Sequence, residues 1–270
     1  MRTAIPTRPI AIVVAMDAEL VHLVAGLAVR TGDVGGRPRY DLVIGDRPIV
    51  AVRSGMGMLN AASTTERVVA ELAPTAILNF GCAGAHRVDI LPGDVVIAER
   101  VVYHAAMNVL RDGTERHTGF GYEVAGETMQ SADLAAAPDW LAAARTVAER
   151  QSIEPWPAEL VWPAGIDRRP ARVHAGTVAS ADIWTQDVRR LAVLAERHGS
   201  LCEEMEAAAV AHVARLHGIP FLSVKDISNN ELHAASDLSE FTDFPIAEVG
   251  KRAAAFLTAT IEQWAENQAA

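Results

Sequence analysis

Short apolar runs rich in β-branched residues alternate along this chain with alanine-rich segments of helical period, and that alternation limits the fold more than any other feature. Ile10-Ala11-Ile12-Val13-Val14, Asp41 to Ile44, Pro48 to Val52, Ala76 to Asn79, Gly93 to Val102, Arg172 to Val178 and Phe221 to Ile227 read as strands. Their continuous apolar character suits strands buried on both faces. Between them, helices are expected from Ala18 to Val29, Met58 to Leu72, Trp140 to Arg150, Thr185 to His198 and Met205 to His217. Gly218 and Pro220 end the last of these, and Pro245 is expected to open a final helix to Glu266. Strands alternating with helices predict an α/β fold with a mixed central β-sheet surrounded by helices.

The chain has 270 residues, half of them hydrophobic, which allows one large core or two small ones. The proline-rich stretch Ser152 to Arg172 reads as a loop and not a linker, so residues 1–270 are expected to form a single domain. A net charge of −10 disfavours nucleic acid, and the basic clusters, such as Asp167-Arg168-Arg169, are short. Cys82 and Cys202 lie far apart without metal-ligand spacing, which fits a reducing compartment and predicts no metal site and no cofactor. The apolar run at Ile10 to Ala15 is too short for a signal segment or a membrane span, so the expectation is a cytoplasmic protein with no membrane partner.

Five stretches place polar or glycine residues at the carboxyl ends of predicted strands, where open α/β sheets gather their sites. They are Ala15-Met-Asp-Ala-Glu19, Ser54-Gly-Met-Gly-Met-Leu-Asn60, Asn79-Phe-Gly-Cys-Ala-Gly84, Glu203-Glu-Met-Glu206 and Lys225-Asp-Ile-Ser-Asn-Asn230. Each has an ordinary reading beside a functional one. Gly55 and Gly57 make either a plain strand-to-helix turn or a cradle of amides for an anion or sugar. Cys82 reads as a small buried residue before it reads as a nucleophile, since nothing ties it to a base. Glu203, Glu204 and Glu206 sit where the helix dipole favours acids, yet Glu206 is also suited to accept from a ribose diol. Glu19 alone is an exposed first-turn residue, and Ser228-Asn229 alone is turn chemistry.

Taken in order from residue 10 to 257, the stretches resemble the nucleoside phosphorylase and nucleosidase superfamily, and within it the 5'-methylthioadenosine/S-adenosylhomocysteine nucleosidases. Ala-Met-x-x-Glu is similar to the segment whose glutamate activates water, which here is Glu19. Ser-Gly-Met-Gly at 54–57 is similar to Ser-Gly-Ile-Gly, and Asn-Phe-Gly-Cys-Ala-Gly to Asn-Thr-Gly-Ser-Ala-Gly, which brings Gly57, Cys82 and Ala83 to the substrate. Gly93-Asp94-Val95-Val96, Tyr103-His104 and Ser180-Ala-Asp-Ile-Trp184 resemble further family segments, with Trp184 stacking on the purine. Glu204-Met205-Glu206-Ala207 matches the signature Glu-Met-Glu-Ala, with Met205 against the ribose and Glu206 on its hydroxyls. Lys225 stands where the family has an arginine, and Ser228-Asn229 where it has Ser-Asp. The resemblance implies a three-layer sandwich, a purine nucleoside as small-molecule substrate, and a homo-oligomer.

The activity so implied is hydrolysis of the N-glycosidic bond through an oxocarbenium-like ribose, with Glu19, Glu206 and Asn229 as catalytic residues. Asn229 departs from the family's aspartate: an amide can donate to O6 and accept from a protonated N7, the complement of a 6-oxopurine. The alternatives are release of adenine from 5'-methylthioadenosine or S-adenosylhomocysteine, with Asp226 entering the base pocket, and phosphorolysis. Against phosphorolysis, Asn79-Phe80 offers no cation where phosphorolytic relatives carry an arginine, although Lys225 and Arg53 could supply one. Phe241 or Phe244, with Tyr103 and His104, are candidates for the 5' side of the pocket. The stretches 112–119 and 152–172 have no counterpart in the family pattern. Two rivals of other classes are a non-catalytic nucleoside-binding protein, which the glutamates disfavour, and a dinucleotide-dependent oxidoreductase, which Asn60 disfavours by replacing the third glycine of the fingerprint.

Overall fold

The computed structural model of the chain describes residues 8–269 apart from 125, 132 and 234–244, so Phe241 and Phe244 lie outside the described residues. The chain starts with β1 (Ile10–Val14) and α1 (Asp17–Val24), then an antiparallel run of β2 (Arg30–Val34), β3 (Arg37–Ile44) and β4 (Arg47–Arg53). α2 (Met58–Leu72), β5 (Ala76–Ala85) and β6 (Val95–Tyr103) follow. Two small hairpins come next, β7 (Met107–Val109) with β8 (Glu115–His117) and β9 (Phe120–Val124) with β10 (Glu127–Ser131). After β11 (Asp133–Ala135) and α3 (Pro138–Arg150), the second half runs β12 (Val173–Ser180), α4 (Val188–His198), β13 (Ser200–Glu204), α5 (Ala207–Leu216), β14 (Phe221–Asn229) and α6 (Lys251–Ala269).

A mixed ten-stranded sheet in the order β11-β6-β12-β13-β5-β1-β4-β3-β2 organises these elements, with β14 pairing both β5 and β6. The pairings β6–β12–β13–β5–β14 therefore return to β6 and curl that half of the sheet into a closed ring. Alternation along β1 explains the layers. Ala11 and Val13 pack into one core with Ala61 and Val68 of α2 and the alanines of α5. Ile10, Ile12 and Val14 pack into the other with Leu20 and Leu23 of α1, Trp140 of α3 and Phe256 of α6. Successive strand residues point to opposite faces, so a strand covered on both sides has to be apolar throughout. Burial of this kind contributes about 25 cal/mol per Å² of apolar surface.

Several expected boundaries shift. The first helix ends at Val24 and the chain turns into β2, a strand of largely exposed residues with no apolar period to announce it. Met205 does not belong to a helix: Ser200–Glu204 is a strand buried at every position, and α5 starts only at Ala207. The last helix starts at Lys251, not at Pro245. β5 continues past Asn79 to Ala85, which puts Gly81 to Gly84 within the sheet instead of in a loop beyond it. The stretch 152–172 carries no helix or strand, as expected, and Arg168 holds it by donating to the carbonyls of Pro157, Ala158 and Leu160. Arg169 pairs with buried Asp94 at 2.6 Å, so the one basic cluster in that loop is committed internally.

Candidate active site

The carboxyl ends of β1, β5, β13 and β14 open into a cavity of about 120 Å³, at the strand ends where α/β sheets gather their ligands. Met16, Glu19, Met56, Cys82, Ala83, Gly84, Trp184, Thr185, Glu203, Glu204, Met205, Glu206, Ser228, Asn229 and Glu231 are among its lining residues.

Glu19 is not the exposed first-turn residue that local pattern suggests; it is 3% exposed. It occupies the third position of α1, from which its Oε2 accepts from the Met16 amide at 3.2 Å while Oε1 accepts from the Cys82 amide at 3.0 Å. Two glycines make room for it. A Cβ on Gly81 would lie 2.5 Å from Glu19 Oε1, and one on Gly250 would lie 2.9 Å from Glu19 Cβ. Burial pushes the Glu19 carboxyl above its ordinary value, against the opposing pull of Lys225 and of the Cys82 and Met16 amides. Cys82 therefore contributes an amide, and burial drives its thiol well up, which removes it as a thiolate nucleophile.

Glu206 precedes α5, and its Oε1 accepts from the Gly57 amide at 2.7 Å. That bond uses the amide that the sequence offered to a ligand, and Gly57 acts on the site through Glu206. A Cβ on Gly57 would meet Asp182 Oδ1 at 2.8 Å, because Asp182 accepts from the Met58 amide at the start of α2. Burial, and after it Glu204, push the Glu206 carboxyl up to about 8.

Glu203 and Glu204 are consecutive on β13 and turn to opposite sides. Glu204 accepts from the Glu206 and Ala207 amides at 3.0 Å and pairs with Lys225 Nζ at 2.8 Å. Its carboxylate is thus spent on starting α5 and on neutralising Lys225. Lys225 itself is 1% exposed. Burial alone would lower its ammonium, but Glu204, Glu206 and Glu19 outweigh burial and hold it above its ordinary value.

Ser228 Oγ donates to Asn229 Oδ1 at 2.9 Å, and Asn229 Nδ2 donates to Glu231 Oε1 at 2.8 Å. This chain of bonds fixes which way the amide faces: a flip would bring Oδ1 against the Glu231 carboxylate. Asp226 is absent from the base pocket. It accepts from the Gly250 and Arg252 amides and so fixes the chain entering α6, with burial raising its carboxyl to about 7.

Trp184, Met205 and Ala83 line the cavity as the sequence suggested, with Trp184 still 41% exposed at the mouth. Tyr103 and His104 do not line it. Tyr103, at the end of β6, is register-paired with Ser180, and the His104 ring that follows it is fully buried, which lowers its pKa to about 4. Glu203 was read only as an acid at a helix start, and Thr185 and Glu231 were given no place in the site. The available signal for Glu203 was a buried strand that ends in an acidic pair, and for Glu231 it was an acid two residues beyond Asn229. Among the described residues no group of three or more His, Cys, Asp or Glu could hold a metal ion, and no helix is long and apolar enough to cross a membrane.

A family model described as the Phosphorylase superfamily matches residues 9–262 of the chain. The 5'-methylthioadenosine/S-adenosylhomocysteine nucleosidase of Chromohalobacter salexigens is 31% identical over 224 residues, 82% of this chain and 84% of that protein. The solved structure of S-adenosylhomocysteine nucleosidase from Streptococcus pyogenes in complex with 5-methylthiotubericidin is 28% identical, with a TM-score of 0.72 over 96% of this chain and 98% of that one. Futalosine hydrolase of Helicobacter pylori superposes with a TM-score of 0.74 over 95% and 98% of the two chains; at 20% identity the likeness is one of fold.

Proposed function

The chain belongs to the phosphorylase superfamily, and from that premise we propose that it is a purine nucleosidase, a hydrolase of the N-glycosidic bond, with a 6-oxopurine as the leaving base. The observation that carries hydrolysis is the make-up of the cavity wall. Glu19, Glu203, Glu204, Glu206 and Glu231 line it, and among the described residues no Arg or Lys does. Phosphate is bound by cations that direct hydrogen bonds at it. The two candidates for that role are committed elsewhere: Lys225 to Glu204, and Arg53 to Asp17. A phosphate anion would meet carboxyl groups and no uncommitted cation there, whereas water needs no cation to hold it.

In this reading Glu19 takes a proton from water as the oxygen attacks C1' of the ribose. The C1'–N9 bond breaks, its electron pair passes to the base, and the base takes up a proton from solvent at N7, balanced by the proton that Glu19 later returns to solvent. Glu206 accepts hydrogen bonds from the ribose hydroxyls, and its negative charge stabilises the oxocarbenium-like sugar. Ser228 and Glu231 each use one valence of the Asn229 amide, leaving one donor hydrogen and one lone pair. Those suit O6 and a protonated N7. Met16, Met56 and Met205 give the cavity an adaptable apolar wall.

Release of adenine is the second reading, favoured by the activity named for the relatives that are 31% and 28% identical. One assay separates the possibilities: purified protein with inosine, guanosine, adenosine, 5'-methylthioadenosine and S-adenosylhomocysteine, with and without phosphate, and free base followed by chromatography. Hypoxanthine or guanine released without phosphate is the expected result. Adenine as the preferred base would overturn the 6-oxopurine assignment, strict dependence on phosphate would overturn hydrolysis, and no release from any nucleoside would leave a binding protein.

The pH dependence follows from the same groups. Both Glu19 and Glu206 act as carboxylates, and both are raised above 4.5, Glu206 to about 8. An acid that works only when ionised is competent above its pKa, so kcat/KM is expected to rise with pH through about 8. A profile that is flat from about pH 6 to 9 would remove the requirement for ionised Glu206.

A further inference from the structure

Glu203 is a buried acid that the mechanism above leaves unused, and its surroundings are those of a recognition group. Its Oε1 accepts from the Thr185 amide at 2.7 Å, its Oε2 accepts from Thr185 Oγ1 at 3.0 Å, and His86 Nε2 stands 3.4 Å from Oε2. These partners hold the side chain rigidly, yet 6% of its surface stays open and the residue lines the cavity. A carboxylate offers about four lone-pair positions, so acceptor capacity remains after Thr185 and His86 are served.

Strand register relates this group to Asn229. Gly84 of β5 is paired with Glu203 of β13 on one side and with Asn229 of β14 on the other. Neighbouring strands are about 4.8 Å apart, which sets the two flanking backbones roughly 10 Å from each other. Between them Gly84 contributes no side chain, and a Cβ there would already lie 3.4 Å from Asn229 Nδ2. The result is a slot floored by Gly84 with an amide on one wall and a carboxylate on the other.

We infer that Glu203 is the specificity-determining residue for the base, accepting the N1–H of a 6-oxopurine, and the 2-amino group where there is one, while Asn229 engages the O6 and N7 edge. This rests on the nucleosidase reading and deepens it. The discrimination comes from the sign of the hydrogen bond at N1. Hypoxanthine and guanine carry a donor there, whereas adenine carries a lone pair that would face the carboxylate with no proton between them. A buried polar group left unpaired in this way costs far more than a missing apolar contact.

The test uses free bases, so that it does not depend on the 5' substituent. Calorimetry of the wild-type protein with hypoxanthine, 1-methylhypoxanthine and adenine is expected to give a loss of roughly 10- to 100-fold in affinity on methylating N1. In Glu203→Gln, whose amide can present either an oxygen or an N–H, that difference should collapse and adenine should gain relative to hypoxanthine. Equal affinity of the wild type for hypoxanthine and its 1-methyl derivative would overturn the role of Glu203 and leave the 6-oxopurine reading standing. Preference of the wild type for adenine would overturn both. A Glu203→Gln protein in which all three bases weaken in parallel would reduce Glu203 to a brace for Thr185. The comparison of the two hypoxanthines needs only the wild-type protein, so it decides even if the variant does not fold.

Discussion

Glu19→Gln is expected to lower kcat by about 10²- to 10⁴-fold, the range for losing a general base, with little change in KM. The substitution keeps shape: the amide oxygen can still accept from the Cys82 N–H at the position of Oε1, which is 3.0 Å away. What it removes is the capacity to take a proton. Glu19 has been brought from α1 to the end of β5, and the glycines at 81 and 250 leave space for nothing larger. Single-turnover release of base, measured beside the affinity for free base, separates the chemical step from binding. Unchanged turnover would exclude Glu19 from the mechanism. A matched loss of base affinity and turnover would point to a collapsed pocket.

Lys225→Met should produce the largest loss of stability. Lys225 is the cation facing Glu204, Glu206 and Glu19, all of them buried, and it pairs with Glu204 at 2.8 Å. Removing one member of a buried ion pair typically costs about 3–5 kcal/mol, because the other is left charged without compensation. Urea unfolding read as a shift in midpoint at constant slope measures this. The double variant Lys225→Met with Glu204→Gln should recover part of the loss, since the stranded charge is gone while the neutral side chain can still accept from the α5 amides. A single-variant cost below about 1 kcal/mol would place the pair among weak surface-like bridges. Activity carries a second signature. Lys225 lowers the carboxyls of both Glu19 and Glu206, so in its absence both rise further and the ascending limb of kcat/KM should move to higher pH.

The two predictions depend on different kinds of information. Glu19, Glu206 and Asn229 were singled out in the sequence by motifs that resemble a known family, and the structure brings all three to one cavity. The division of labour around them was not. Glu204 and Glu206 read alike as acids at the start of a helix, but one has its carboxylate committed to Lys225 and the amides of α5, while the other accepts from Gly57. Glu203 was given only a helix-dipole role because Ser200–Glu204 did not register as a strand: five residues with two terminal acids look like the approach to the alanine-rich helix that follows. Once the stretch is a strand, alternation alone sends Glu203 and Glu204 to opposite faces. Asp226 and His104 were candidates by position and do not line the cavity, one fixing the entry to α6 and the other fully buried just past β6.

By itself the sequence determined the layered α/β architecture, the extent of α2 over Met58–Leu72, the irregular loop at 152–172 and which short stretches gather at the carboxyl ends of the strands. It could do so because burial imposes a period on each element, and a period is a local property. Tertiary structure alone decided which carboxylates are free to act. The Cys82 amide that orients Glu19 lies 63 residues away in sequence, and the Gly57 amide that binds Glu206 lies 149 away. A buried charge takes its character from the partners that surround it in space, and no local pattern records partners at such separations.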